Sequence, residues 1–128
     1  MSGQSEQMEE FRTNDKSHSR SLYLKFLGAT VGNKETGVPC NGDYNVNGDI
    51  SRFRNGLLHG GTGLEGESQP AIELLDGHTE WWEDGYLHRD DGPAVITRHG
   101  AWEEFWRHGE LMMIRVFGTA EITDVQKD

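Results

Sequence analysis

Residues 70–117 read PAIELLDGHTEWWEDGYLHRDDGPAVITRHGAWEEFWRHGELMMIRVF, and this stretch decides the fold. A two-residue turn signal interrupts it four times: Asp76-Gly77, Asp84-Gly85, His99-Gly100 and His108-Gly109. The runs between them are rich in Trp, Val, Ile, Phe and Tyr. Asp-Gly between such runs is a strong hairpin signal, because both central residues of a type I′ turn need positive φ. His-Gly is a weaker one, since His visits positive φ less readily than Asn or Asp. The stretch reads as an up-and-down β-meander.

The stretch also repeats itself. With Gly77 aligned on Gly100, Pro70-Ala71 falls on Pro93-Ala94, and Trp82 falls on Trp106 after one inserted residue. Asp84-Gly85 then matches His108-Gly109. A looser copy lies upstream, where Phe53-Arg54-Asn55-Gly56-Leu57-Leu58-His59 matches Trp82-Glu83-Asp84-Gly85-Tyr86-Leu87-His88. Repeats of this size signal one supersecondary unit stacked on copies of itself.

Trp82, Gly85, Leu87, His88, Gly92, Pro93 and Ala94 form the pattern W-x-x-G-x-L-H-x-x-x-G-P-A, which resembles a variant MORN repeat. Asn55-Gly56-Leu57-Leu58-His59-Gly60-Gly61-Thr62-Gly63 is closer still to the usual end of a MORN hairpin. The resemblance spans Arg52 to Leu111. It implies an elongated, curved, single-layer antiparallel sheet used for binding or scaffolding rather than catalysis. The last copy departs from the pattern: Met112 stands in place of the His, and no Gly-Pro-Ala follows, as in a terminal cap.

A chain of 128 residues is one domain by length. Residues 1–20 are polar and of mixed charge, and read as a flexible tail with one helical turn around Glu6 to Phe11. Residues 21–51 read as an N-terminal strand and hairpin region, 52–117 as the hairpin repeats, and 118–128 as a second polar tail. In 21–31, alternation would set Leu22, Leu24 and Phe26 on one side of a strand, against Tyr23, Lys25 and Leu27. No run is long enough to span a bilayer and no leader pattern opens the chain. Cys40 is alone, so no internal disulfide forms; this fits a reducing, cytoplasmic setting.

The formal net charge is −10. Residues 65–110 hold 12 acids and 3 bases, hence −9; the remainder holds 10 acids and 9 bases, hence −1. Such a field repels phosphates and argues against nucleic acid as a direct ligand. It favours the basic surface of another protein.

Asp43 to Arg54 supports two readings. Asp43, Asn45, Asn47 and Asp49 with Gly48 resemble the opening of a calcium loop, but Arg54 stands where the bidentate Glu belongs. The other reading is a hairpin, Tyr44-Asn45-Val46 and Asp49-Ile50-Ser51 around Asn47-Gly48. Gly61 to Gly66 matches G-x-G-x-x-G but lacks the following helix that a dinucleotide site needs, so it reads as a hairpin tip.

Catalytic constellations do not assemble. His78-Thr79-Glu80 matches the H-x-E of zinc deaminases, yet the only Cys lies upstream. No nucleophile elbow is present, and no cofactor or metal is implied. The aromatics are more informative. Alternation puts Trp102, Glu104 and Trp106 on one face and Glu103 and Phe105 on the other; Glu80 and Trp82 share a face opposite Trp81 and Glu83. Neither face is cleanly apolar. The aromatics are therefore either core or the anchors of an acidic protein-binding face. The second reading assigns partner contact to Glu80, Trp81, Trp82, Glu83, Asp84, Tyr86, Asp90, Asp91, Trp102, Glu103, Glu104 and Trp106. Its sharper form is an inhibitor that mimics nucleic-acid charge and blocks a basic groove of a nucleic-acid-handling or defence enzyme. The alternatives are a scaffold, homodimeric through edge strands near Met112-Met113-Ile114, and a calcium-dependent module.

Overall fold

Four of the paired turn residues carry positive φ at both positions: Asn47-Gly48, Asn55-Gly56, Asp84-Gly85 and His108-Gly109. These are the type I′ turns whose twist matches that of the flanking strands. His108 adopts the left-handed conformation at φ 49° despite its lower intrinsic preference. At the other two signals the expectation fails. Only Gly77 and Gly100 are left-handed there, and Gly77 N–H and Gly100 N–H donate to Leu74 O and Thr97 O three residues back. Those loops are longer, with the glycine closing a type I turn.

The computed structural model describes residues 8–11 and 19–117. The strands are β1 (Met8–Phe11), β2 (Gly42–Val46), β3 (Asp49–Arg54), β4 (Leu57–Leu58), β5 (Ile72–Glu73), β6 (Thr79–Glu80), β7 (Trp82–Glu83), β8 (Tyr86–Leu87), β9 (Val95–Ile96), β10 (Trp102–Arg107) and β11 (Glu110–Phe117). The protein is mainly β: an open antiparallel meander in the order β1-β11-β10-β9-β6-β5-β3-β2, with β4 on β3 and the β7–β8 hairpin beside the main sheet. Strands β6 and β7 flank Trp81, where one chain segment passes from the main sheet into that hairpin. A bulge between Phe105 and Trp106 bends β10 at the matching place.

The internal repeat is written in backbone bonds. Gly85 N–H donates to Leu58 O, and Gly109 N–H to Leu87 O, each at 2.9 Å. Ala71 N–H donates to Glu80 O, and Ala94 N–H to Glu104 O. Gly60 N–H reaches Trp82 O, and Arg89 N–H reaches Trp106 O. Each copy therefore docks on the next through the same atoms. The Leu-His pair completes the joint: His59 Nδ1 accepts from Asp84 N–H and His88 Nδ1 accepts from His108 N–H, both at 3.0 Å. Repetition thus accounts for both histidines. No further hairpin follows Leu111 among the described residues, and there the residue is Met112.

Two parts of the sequence reading are corrected. Met8–Phe11, expected in a tail with a helical turn, is an edge strand antiparallel to β11; the rest of the expected N-terminal tail up to residue 18, and residues 118–128, lie outside the described residues. β1 covers the edge of β11 from Ile114 to Phe117; Met112 and Met113 lie outside that pairing. Residues 21–31 form no strand. Leu24–Phe26 is a short 3₁₀ turn; Tyr23, Leu24, Phe26 and Leu27 pack on the core, while Leu22 is exposed. The hairpin reading of residues 43–54 holds: β2 pairs with β3 around Asn47-Gly48. Three of the four side chains considered for calcium have an oxygen engaged there. Asp43 Oδ2 faces Arg52 Nε at 3.2 Å, Asn45 Oδ1 accepts from Gly48 N–H, and Asp49 Oδ1 accepts from Leu75 N–H.

The joint explains two glycines. A Cβ on Gly85 would sit 2.9 Å from Leu57 Cδ2, and one on Gly109 would sit 2.7 Å from Tyr86 Cδ1. The residue after each turn glycine thus covers the glycine of the next copy. Gly100 is also left-handed, but a Cβ there meets nothing. Gly100→Ala should cost about 1 kcal/mol for the left-handed backbone alone. Gly109→Ala should cost roughly 1–3 kcal/mol more, for overpacking against Tyr86. Equal losses in urea denaturation would contradict this account of the joint.

Candidate functional site

Two of the acids expected on a partner-binding face are fully buried. Glu80 and Glu104 lie opposite Val95 from its two sides, in β6 and β10. Burying a carboxylate is costly unless its oxygens are supplied with donors. Both are. Glu80 Oε1 accepts from Trp82 Nε1 and from Ser21 Oγ, each at 2.9 Å. Its Oε2 accepts from Leu22 N–H at 3.1 Å and lies 2.7 Å from His78 Nε2. Glu104 repeats the scheme. Its Oε1 accepts from Trp106 Nε1 at 2.8 Å and Ser19 Oγ at 2.7 Å; its Oε2 accepts from Trp102 Nε1 at 2.9 Å and Arg20 N–H.

Each glutamate therefore holds a ring two residues away on either side and a Ser-X pair from the N-terminal segment. Ser19-Arg20 sits on Glu104, and Ser21-Leu22 on Glu80. The spacing works because a β-strand returns side chains to one face every two residues. This segment closes one face of the sheet. Burial, and then the Glu80 carboxylate, raise the Tyr23 phenol above its ordinary value.

These contacts correct the site expectation. Glu80, Trp81, Trp82, Glu104 and Trp106 are buried and cannot touch a partner in this fold. Their side chains are committed to the core, so the mixed face inferred from alternation is an indole-and-carboxylate core face. Trp102 and Glu103 are half-buried, with Glu103 Oε1 3.5 Å from Arg115 Nη1. Glu83, Asp84, Tyr86, Asp90 and Asp91 are exposed. The Ser19–Leu22 segment was missed, although Ser19 and Ser21 stand at the strand period. So was the coupling of residue types: Glu precedes Trp by two positions in two copies, while Ser51 precedes Phe53 in the first, where no indole needs an acceptor.

The exposed remainder gathers at the hairpin tips. Tyr86 is 45 % exposed, lies over Gly109 and pairs in register with Glu83. Glu110, next to Gly109, is exposed, as is Asp84 in the turn. Asp90 Oδ1 is 3.3 Å from His88 Nε2 and 3.9 Å from Arg107 Nε. Arg54 Nη2 holds Asp84 Oδ1 at 2.6 Å. Arg89 bonds Asp91 Oδ1 at 2.9 Å and Pro93 O at 3.0 Å, with its guanidinium 3.9 Å from the Trp81 ring. At the opposite rim, Arg20, His78, Arg98, His99 and Trp102 line a shallow cleft of about 330 Å³. No group of metal-binding side chains occurs among the described residues. No described helix is long and apolar enough to cross a membrane. No protein-family model matches this chain, and neither does a curated protein or a solved structure.

Three exposed aspartates sit below the ordinary carboxylate range. The His78 backbone N–H lowers Asp76, Arg54 lowers Asp84, and Arg89 lowers Asp91. Their folded pKa values lie under the unfolded ones, so their contribution is present above about pH 4 and is lost as pH falls through the folded values. The acid limb of a pH–stability curve should therefore be shallower in Asp91→Asn, because the variant starts slightly less stable at neutral pH and meets the parent at low pH; the loss is small because the group is exposed. An unaltered limb would contradict it.

The buried clusters give a sharper test. Glu104→Gln turns an acceptor-only group into one whose amide N–H₂ faces two donors, and should cost roughly 2–4 kcal/mol. Copying the first repeat into the second, Glu80→Ser with Trp82→Phe should lose less than the sum of the single changes, by about 1 kcal/mol or more. Strict additivity in the double-mutant cycle would contradict the pairing of indole and carboxylate.

Proposed function

We propose that this chain is a non-enzymatic protein-binding module that meets a basic surface of its partner through the hairpin-tip ridge of Glu83, Asp84, Tyr86, Asp90 and Glu110. The observation that carries the reading is Tyr86, a large aromatic ring left 45 % exposed among acids. Aromatic anchors rimmed by charge are the composition of interaction hot spots. The charge excess of −9 over residues 65–110 supports a cationic partner, and the resemblance to MORN hairpins supports a binding role. The buried titratable groups Glu80, Glu104, His78 and His88 are all tied up in internal bonds, which supports a role without catalysis. The narrower form of the proposal is a charge mimic that blocks the basic groove of a nucleic-acid-handling or defence enzyme. It draws on fewer acids than the sequence offers, since Glu80 and Glu104 are interior and Asp84, Asp91 and Asp76 face arginines.

Affinity capture with Glu83→Lys/Glu110→Lys tests the reading, because both residues are exposed and outside the core. The variant should melt as the parent does and lose captured partners by about tenfold or more. Salt should release the parent's partners, since exposed charges are screened within about 10 Å at ~0.1 M. Capture that is indifferent to both charge reversal and salt would overturn the proposal.

A further inference from the structure

Among the described residues the main sheet ends at β2, with no bulge, Pro or Lys to blunt the edge. All five residues, Gly42 to Val46, are exposed, with Tyr44 at 42 % and Val46 at 65 %. The strand holds no Pro and no Lys, and its one charge, Asp43, is paired with Arg52. Its register fixes which backbone groups are free. Arg52 N–H is spent on Ala71 O in the opposite direction, so Asp43, its partner across the ladder, is not hydrogen-bonded to β3. The same alternation applies to Asn45. The N–H and C=O groups of Asp43 and Asn45 therefore point outward.

We propose that β2 pairs antiparallel with β2 of a second copy of this chain, about a two-fold axis at Tyr44. This surface is separate from the hairpin-tip ridge. In this register, Asp43 and Asn45 of each copy meet Asn45 and Asp43 of the other as hydrogen-bonded pairs. Four backbone bonds form, and every outward group of the strand is used. Tyr44 faces its own copy in the close, non-hydrogen-bonded position, and Val46 lies over Gly42. Asn45 Oδ1 is already taken by Gly48 N–H, which leaves its amide N–H to meet Asp43 of the second copy. The neighbouring register, centred on Asp43, would set two aspartates face to face; the one centred on Asn45 would run into the Asn47-Gly48 turn. Self-complementarity of this kind is what an isologous contact requires.

The full-length chain tests this by sedimentation across two orders of magnitude of concentration, together with variants at positions 44, 45 and 46. A concentration-dependent dimer is expected. Asn45→Pro deletes an outward N–H without touching the β3 ladder, and should weaken the dimer by about tenfold or more relative to Asn45→Ala, which loses the same bond to the Gly48 N–H but keeps the outward N–H. In a Cys40→Ser background, Tyr44→Cys should give a disulfide-linked dimer on mild oxidation, because facing Cα atoms there lie about 4.5 Å apart. Val46→Cys, facing Gly42, should not. A monomer at all concentrations would overturn the proposal, including one that takes up a foreign strand. A dimer indifferent to Asn45→Pro, or one cross-linked through residue 46 rather than 44, would overturn it as well.

Discussion

A carboxylate inside a sheet has to be fed donors on every side, and this requirement shapes the molecule. Glu80 and Glu104 cannot be satisfied by the strand ladder, whose N–H groups are already spent. Their donors come instead from neighbouring rings and from a separate segment of chain. The two tryptophans that follow them, Trp82 and Trp106, are turned so that each indole N–H points back to the glutamate two residues earlier. Tryptophan suits a core only where that N–H finds an acceptor. Ser19 to Leu22 is then held across the same face by both carboxylates at once. A segment with no helix or strand of its own thereby becomes a lid on the sheet.

The second constraint is the joint between copies. Short strands such as β7 and β8 bury little by themselves. They gain order because each hairpin tip donates its glycine N–H to the preceding copy and receives a side chain over that same glycine. The residue after the turn, Leu57 or Tyr86, needs an empty position in the next copy, and the left-handed backbone of the turn already favours glycine there. One residue type thus meets two demands. On the open side of the first copy the same bonds are supplied by the N-terminal region: Val31 N–H reaches Gly56 O, and Gly56 N–H reaches Cys40 O.

Much of this was legible in the residues. Asn-Gly and Asp-Gly between aromatic and β-branched runs placed the hairpins, and the spacing of Gly, Trp and Pro-Ala placed the copies. Turn geometry was less legible: Asp76-Gly77 and Asp84-Gly85 are the same dipeptide in different turns, because the bonds to Leu74 and His78 lengthen the first loop. The N-terminal segment was misread because apolar residues in 22–27 alternate with others much as a strand's do. Its backbone is instead drawn onto Glu80, and Leu22 is left outward. The candidate site was read least well. Acid beside tryptophan suggests a wet, charged face, and net charge cannot distinguish a carboxylate on the surface from one wrapped in four donors. The pairing of Glu with Trp, and of Ser51 with Phe53, was visible as a coincidence of types but acquires a meaning only when the indole N–H is followed to its acceptor.

Hydrogen exchange of individual protons addresses the carboxylate clamps directly. The indole N–H protons of Trp82 and Trp106 and the backbone amides of Arg20 and Leu22 should exchange together with the centre of the sheet, at the rate of global opening. Arg20 and Leu22 amides that exchange freely while Trp82 and Trp106 stay protected would contradict the claim that the two buried glutamates bind the N-terminal segment to the repeats.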